Sequence, residues 1–152
     1  MILPMAEHVG RTLVVDAPDE VMIHGRADDL GDMIWNLLDN ALVHGAGAVE
    51  IVVRAPSDAT GQKILIDAID QGPGVAPEFR ELVFERFGKA VSTSPGAGLG
   101  LAIVRQVARS HGGDVRFIAH AHCCVRVTFP AESMAAATTA AIDHRALVDA
   151  DR

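Results

Sequence analysis

Two asparagines, Asn36 and Asn40, stand four residues apart, and His44 extends the line by four more. On a helix that spacing puts all three on one face. Around them Leu30, Met33, Ile34, Leu37, Leu38, Ala41 and Leu42 recur at helical spacing, so the polar line borders a buried stripe. It reads either as a solvated helix edge or as chemistry, since carboxamide oxygens are hard ligands that can hold Mg2+ jointly with phosphates. A second candidate is Asp70-Gln71-Gly72-Pro73-Gly74. Its carboxylate could accept a hydrogen bond from an exocyclic amine, and Gly72 and Gly74 let backbone approach a flat ring. Taken alone, Asp-x-Gly is also an ordinary way to leave a strand. The third candidate, Gly96-Ala97-Gly98-Leu99-Gly100-Leu101, runs into a helix and would offer phosphate a set of N–H groups at the positive dipole end. It is neither the dinucleotide pattern nor a P-loop, because no Gly-Lys-Ser/Thr follows. Finally, His120, His122 and Cys124 would share one strand face, with Cys123 as a further thiol, a donor set that could hold zinc. No second ligand pair lies nearby, and a polar hairpin edge is the plainer reading.

The elements that must position these groups follow from hydrophobic period. Residues 11–15 and 21–24 are short, β-branched strands joined by the turn Asp16-Ala17-Pro18-Asp19. The apolar stripe predicts a long helix that starts near Asp28 or Asp29 and stops at Gly45 and Gly47. Residues 49–54 and 63–70 predict an antiparallel pair, and Pro77 opens a short helix through about Phe84. A loop over 88–97 leads to a second long helix from about Gly98 to His111, ended by Gly112-Gly113. Two last strands fall near 114–119 and 123–129. This order predicts an antiparallel or mixed sheet with helices on one face.

The chain has 152 residues, enough for one domain with a sizeable core. Thirteen basic against twenty acidic residues give a charge of −7, which argues against a nucleic-acid surface. A polyanion such as a nucleotide would then need backbone amides, a metal ion or a few placed cations. No apolar run reaches the ~18 residues of a membrane span, and the start lacks a signal-peptide pattern. The adjacent Cys123 and Cys124 build no disulfide framework. A cytoplasmic setting is expected, either for a free protein or for the cytoplasmic part of a membrane-bound sensor.

Taken in order, Asn36-Leu37-Leu38-Asp39-Asn40-Ala41, Asp70-Gln71-Gly72-Pro73-Gly74, Phe84-Glu85-Arg86-Phe87 and the run Gly96–Val104 resemble four motifs of the histidine-kinase catalytic domain: the N box, first glycine box, F box and second glycine box. His111-Gly112-Gly113 is similar to that family's ending of its second long helix. The resemblance covers about residues 11–130. It implies an α+β fold, a two-layer α/β sandwich of the Bergerat type with a mixed, mostly antiparallel sheet. Type II topoisomerases, heat-shock chaperones and mismatch-repair ATPases share this fold, in which ATP lies between helices and a flexible lid. It implies a catalytic domain over residues 1–130, followed by an alanine-rich tail, 131–152, expected to be disordered.

By the same resemblance Asn40 is the Mg2+ ligand, Asn36 supports the phosphates, and His44 completes that line. Asp70 holds the adenine amine, with Gly72 and Gly74 flanking the base. Gly96, Gly98 and Gly100, with Leu99 and Leu101, anchor the lid and meet the phosphates. Lys89 reaches the γ-phosphate, and Arg86 is a second candidate cation. Phosphoryl transfer needs positioning and charge neutralisation, so ATP, Mg2+ and one or two cations form a sensible inventory. Hydrolysing members of the group resemble one another in carrying glutamate where Asn36 stands. An amide cannot accept a proton at neutral pH, so hydrolysis is expected to be slow and transfer to another nucleophile preferred.

None of the seven histidines precedes an acidic residue, as the family's phosphoacceptor does. The implied partners are therefore a dimerisation and phosphoacceptor domain of a parent kinase and, downstream, a response regulator. The chain alone is expected to be monomeric and its parent a homodimer, with the start at Met1 looking like a truncation boundary. Three departures stand out: Val43 replaces a usual cation, the loop between Phe87 and Gly96 is short, and His122-Cys123-Cys124 replaces a Gly-Thr-like step. The last puts in doubt a threonine contact to the base. Two alternatives are an anti-sigma-factor-type serine kinase and a non-catalytic ATP-binding signalling module.

Overall fold

The computed structural model describes residues 10–55, 63–88 and 98–131, and the backbone of 139–143. Along the chain run β1 (Leu13–Asp16), β2 (Glu20–His24), α1 (Ala27–His44), β3 (Val49–Arg54), β4 (Lys63–Asp70), α2 (Gly100–Ser110), β5 (Asp114–Phe117), β6 (Cys123–Pro130) and β7 (Thr139–Asp143). Two 3-10 turns, Pro77–Phe79 and Leu82–Phe84, lie between β4 and α2.

α1 buries the seven apolar residues of its stripe and places Asp28 and Asp29 in the first turn, where carboxylates complement the helix dipole. α2 buries Leu101, Val104, Val107 and Ala108. Both helices cover one face of a five-stranded sheet ordered β1-β3-β4-β6-β5. β1 runs parallel to β3 and every other pair in that sheet is antiparallel. Strand alternation decides which side chains meet the helices. Val49, Ile51 and Val53, Ile64, Ile66 and Ala68, and Val125, Val127 and Phe129 point inward from the three central strands. Each of the buried Val, Ile and Phe side chains among them contributes on the order of 1.5–3 kcal/mol. The odd residues of β6 and the even residues of β4 share that face, which brings Cys123 and Asp70 to its edge in register. On the other face Val52, Ile69 and Cys124 form a smaller cluster.

Residues 11–15 and 21–24 are strands joined by a turn, as expected; β1 pairs with β3, and β2 pairs with β7 in a separate two-stranded sheet. β7 falls within the alanine-rich segment 131–152, and the rest of 132–152 lies outside the described residues. Between Pro77 and Phe84 the chain forms two i→i+3 turns rather than one helix, a segment too short to nucleate α-helix well.

Candidate functional site

β4 ends on Asp70, which is buried to 5% exposure at the edge of the helix-covered face. The turn after α1 wraps it. Ala46 N–H donates to Asp70 Oδ1 at 3.3 Å, and Gly72 N–H donates to the same oxygen at 2.7 Å. A Cβ on Gly45 would overlap the Asp70 carboxylate, and one on Gly72 would sit 2.6 Å from Oδ1. Both glycines are thus required by space, because two backbone segments must lie against one carboxylate. Gln71 N–H donates to Ala46 C=O at 2.8 Å and closes the wrap.

Cys123 stands opposite Asp70 in register, and its Sγ would lie 3.6 Å from a Cβ on Gly74, whose φ is +70°. Burial, then the Asp70 charge and a hydrogen bond to it, push the Cys123 thiol up to about 12. The thiol therefore keeps its proton beside the carboxylate, whose geometric donors are the two backbone N–H groups. A carboxylate has about four acceptor positions, so room remains for an N–H from a ligand. Sequence reasoning placed Cys123 with the zinc candidates and in the altered Gly-Thr-like step, and strand register is what sets it beside Asp70.

The asparagine line meets the start of α2. Asn36 Nδ2 donates to Asp32 C=O at 2.8 Å, and its Oδ1 lies 3.3 Å from where a Gly100 Cβ would stand. A side chain at Gly100 would require that amide to shift by a few tenths of an ångström. Asn40, one turn on, is half-buried, and its amide has no side-chain hydrogen bond among the described residues. His44 is exposed at the end of α1. Leu99 takes the N-cap position of α2, and no described side chain caps the first amides of the helix, which are the kind of donors an anion takes. Leu101 is 7% exposed and packs into the core, which leaves its backbone as its contribution. Gly98 has φ +70°, and its C=O accepts the Phe87 N–H at 3.1 Å, tying the F segment to the α2 start. Lys89 and Gly96 lie outside the described residues.

Arg86 points elsewhere, with Nη2 donating to Gln106 Oε1 at 3.3 Å, more than a turn along α2 from Gly100. Arg105 binds Glu81 and Glu85 at 3.0 and 3.2 Å and stacks 5.7 Å from the Phe84 ring centroid, so the F segment is clamped to α2. The zinc candidates do not share a strand face. β6 begins at Cys123, so His120 and His122 sit in the preceding loop with ring centroids 6.1 Å apart, while Cys124 is buried on the face away from the helices. Among the described residues no cluster of three metal-ligating side chains occurs, and no helix is long and apolar enough to cross a membrane.

Residues 25–133 match the sequence family described as histidine kinase-, DNA gyrase B-, and HSP90-like ATPase. The signal transduction histidine-protein kinase/phosphatase MprB of Mycolicibacterium smegmatis is 45% identical over 97 residues, 62% of this chain and 19% of that protein. The match thus spans about a fifth of that relative. Among solved structures, a mycobacterial sensor histidine kinase MprB superimposes with a TM-score of 0.67 at 32% identity, covering 88% of this chain and 93% of that one. Full-length ShkA in complex with AMPPNP gives 0.71 at 28% identity, covering 88% of this chain and 28% of that one.

Proposed function

The chain belongs to the histidine kinase-, DNA gyrase B-, and HSP90-like ATPase family, and on that premise we propose that it is the catalytic domain of a sensor kinase. It would present the γ-phosphate of ATP to a histidine on a dimerisation domain outside this chain, for relay to a response regulator. The observation that carries this is the wrapped Asp70: a buried carboxylate held by two backbone donors, with acceptor capacity left for the adenine amine. Likeness to MprB sensor kinases and to a protein solved with AMPPNP supports the reading over an anti-sigma-factor-type serine kinase or a non-catalytic module.

The residues divide the work by position. Asp70 orients the base, and Gly72 and Gly74 let it lie close to the backbone. The amides at Gly98, Leu99, Gly100 and Leu101 face the phosphates, with Gly96 expected to extend them. Asn36 steadies the same end through its amide beside Gly100. The Asn40 amide, with no side-chain hydrogen bond among the described residues, fits a hard cation, and Mg2+ held there with the phosphates would neutralise their charge. His44 borders this line. Lys89 is the cation proposed for the γ-phosphate; Arg86 could serve only after leaving Gln106. We place the domain at residues 1–130, with β7 as an added strand.

Titration calorimetry with Mg-ATP tests the reading. One site per chain is expected, with ATP bound better than GTP, whose ring carbonyl would face the Asp70 carboxylate. Asp70→Asn should weaken ATP by about tenfold or more, since a hydrogen bond to a charged group contributes ~1.5–3 kcal/mol. Labelled ATP should leave no acid-labile phosphate on this chain alone, and should label a supplied dimerisation domain. Failure of the wild type to bind ATP would sink the proposal.

A further inference from the structure

Arg11 precedes β1 and lies outside the 25–133 segment that matches the family. Its Nε donates to Gly47 C=O at 2.6 Å, and its Nη1 donates to Ala41 C=O at 2.7 Å and to Leu42 C=O at 2.8 Å. Ala41 and Leu42 belong to the last turn of α1, whose carbonyls lack a full set of helical partners, and a guanidinium there also complements the negative end of the dipole. Gly47 lies beyond the helix, on the far side of the turn.

One side chain therefore bridges both ends of the segment 42–47. That segment is the wrap around Asp70: Gly45 packs on the carboxylate, Ala46 N–H binds Oδ1, and Ala46 C=O accepts from Gln71. We infer that Arg11 is a positioning residue for the base pocket, fixing the turn after α1 so that Ala46 and Gly45 hold Asp70 in its ligand-accepting orientation. The fork geometry matters as much as the charge. A lysine ammonium could meet the α1 carbonyls as a point charge but cannot span them and Gly47 in one rigid plane. Among the described residues Arg11 bonds neither Asn36, Asn40 nor the α2 start; its contacts are to backbone carbonyls at the end of α1 and in the turn that wraps Asp70, so its loss acts first on the base end of the site.

This inference rests on the nucleotide reading, and its test separates the two. Adenosine, Mg-tripolyphosphate and Mg-ATP are titrated into the full chain, into Arg11→Met and into Arg11→Lys, with melting temperatures measured alongside. Arg11→Met should weaken adenosine and Mg-ATP about tenfold while leaving Mg-tripolyphosphate within about twofold. Arg11→Lys should recover melting temperature, through its charge at the helix end, without recovering adenosine affinity; it also carries the test if Arg11→Met does not fold. Wild-type adenosine affinity in either variant overturns the inference, as does equal loss of adenosine and tripolyphosphate. A wild type that binds none of the three overturns the nucleotide reading and this inference with it.

Discussion

Cys123 and Cys124 are neighbours in sequence and face opposite sides of the sheet, which gives each a different reason to remain a thiol. Cys123 is raised to about 12 by burial and by Asp70; Cys124 reaches about 12 by burial first and the Asp67 charge second, against the pull of Arg126. An unfolded cysteine loses its proton near 9, so above that pH the unfolded chain binds fewer protons than the folded one. Stability is then unaffected by these groups below about 9 and falls as pH rises toward 12. Denaturant titrations across that range should show the decline, and Cys124→Val, which keeps the volume, should make it shallower. Because the thiolate is the reactive form, a disulfide-exchange reagent at neutral pH should label the folded chain more slowly than the unfolded one. Equal rates would contradict the burial argument. Asn36, Asn40 and Asp70 were visible in the sequence because each sits in a local pattern. Cys123 and Arg11 were not, since their partners lie on other elements and only strand register or the turn after α1 brings them together.

α1 and α2 were legible because a long amphipathic period admits one answer, whereas the joints between elements were not. His111, just past α2, shows why. Its ring accepts the Arg26 N–H on Nε2 at 3.3 Å and lies 2.8 Å from Val107 C=O through Nδ1. It thereby joins the start of α1 to the end of α2, a contact between residues far apart in sequence. Gly25 makes room for the ring, and any Cβ there would overlap it. Gly25→Ala should therefore cost about 1–3 kcal/mol, as overpacking does. His111→Ala removes the ring and the acceptor together, so the double variant should be less destabilised than the two single losses summed. Denaturant melts of the four proteins give that coupling directly, and additive losses would show that the ring and Gly25 do not meet. The strands over 11–24 were readable as strands, but their partners, β3 and β7, are set by the whole sheet and leave no local signal.

At the scale of the molecule the sheet has one face built by apolar pattern and another that the pattern did not predict. The helix-covered face was readable from alternation in 49–54, 63–70 and 123–129. The opposite face holds an ion pair, with Arg126 Nε and Nη2 each 2.7 Å from the Asp67 carboxylate oxygens. Asp67 is 7% exposed in its side chain and Arg126 26%, so neither charge is freely hydrated. Arg126 also stands opposite Arg116 in register, and Asp67 is the nearest countercharge the strands provide. Two single changes should then fail differently. Arg126→Met leaves a buried carboxylate without its partner, at a cost of about 3–5 kcal/mol that salt does little to relieve. Asp67→Asn leaves Arg126 beside Arg116, and that repulsion reaches solvent through the exposed Arg116, so added salt should restore part of the loss. Replacing both partners, as Asp67→Leu with Arg126→Met, removes the desolvation penalty and should return stability to within about 1 kcal/mol of the wild type or above it. Denaturant melts at low and high ionic strength separate these outcomes. A double variant as unstable as Arg126→Met alone would mean that the pair is needed for the strand register itself, and not only to neutralise charges the fold has buried.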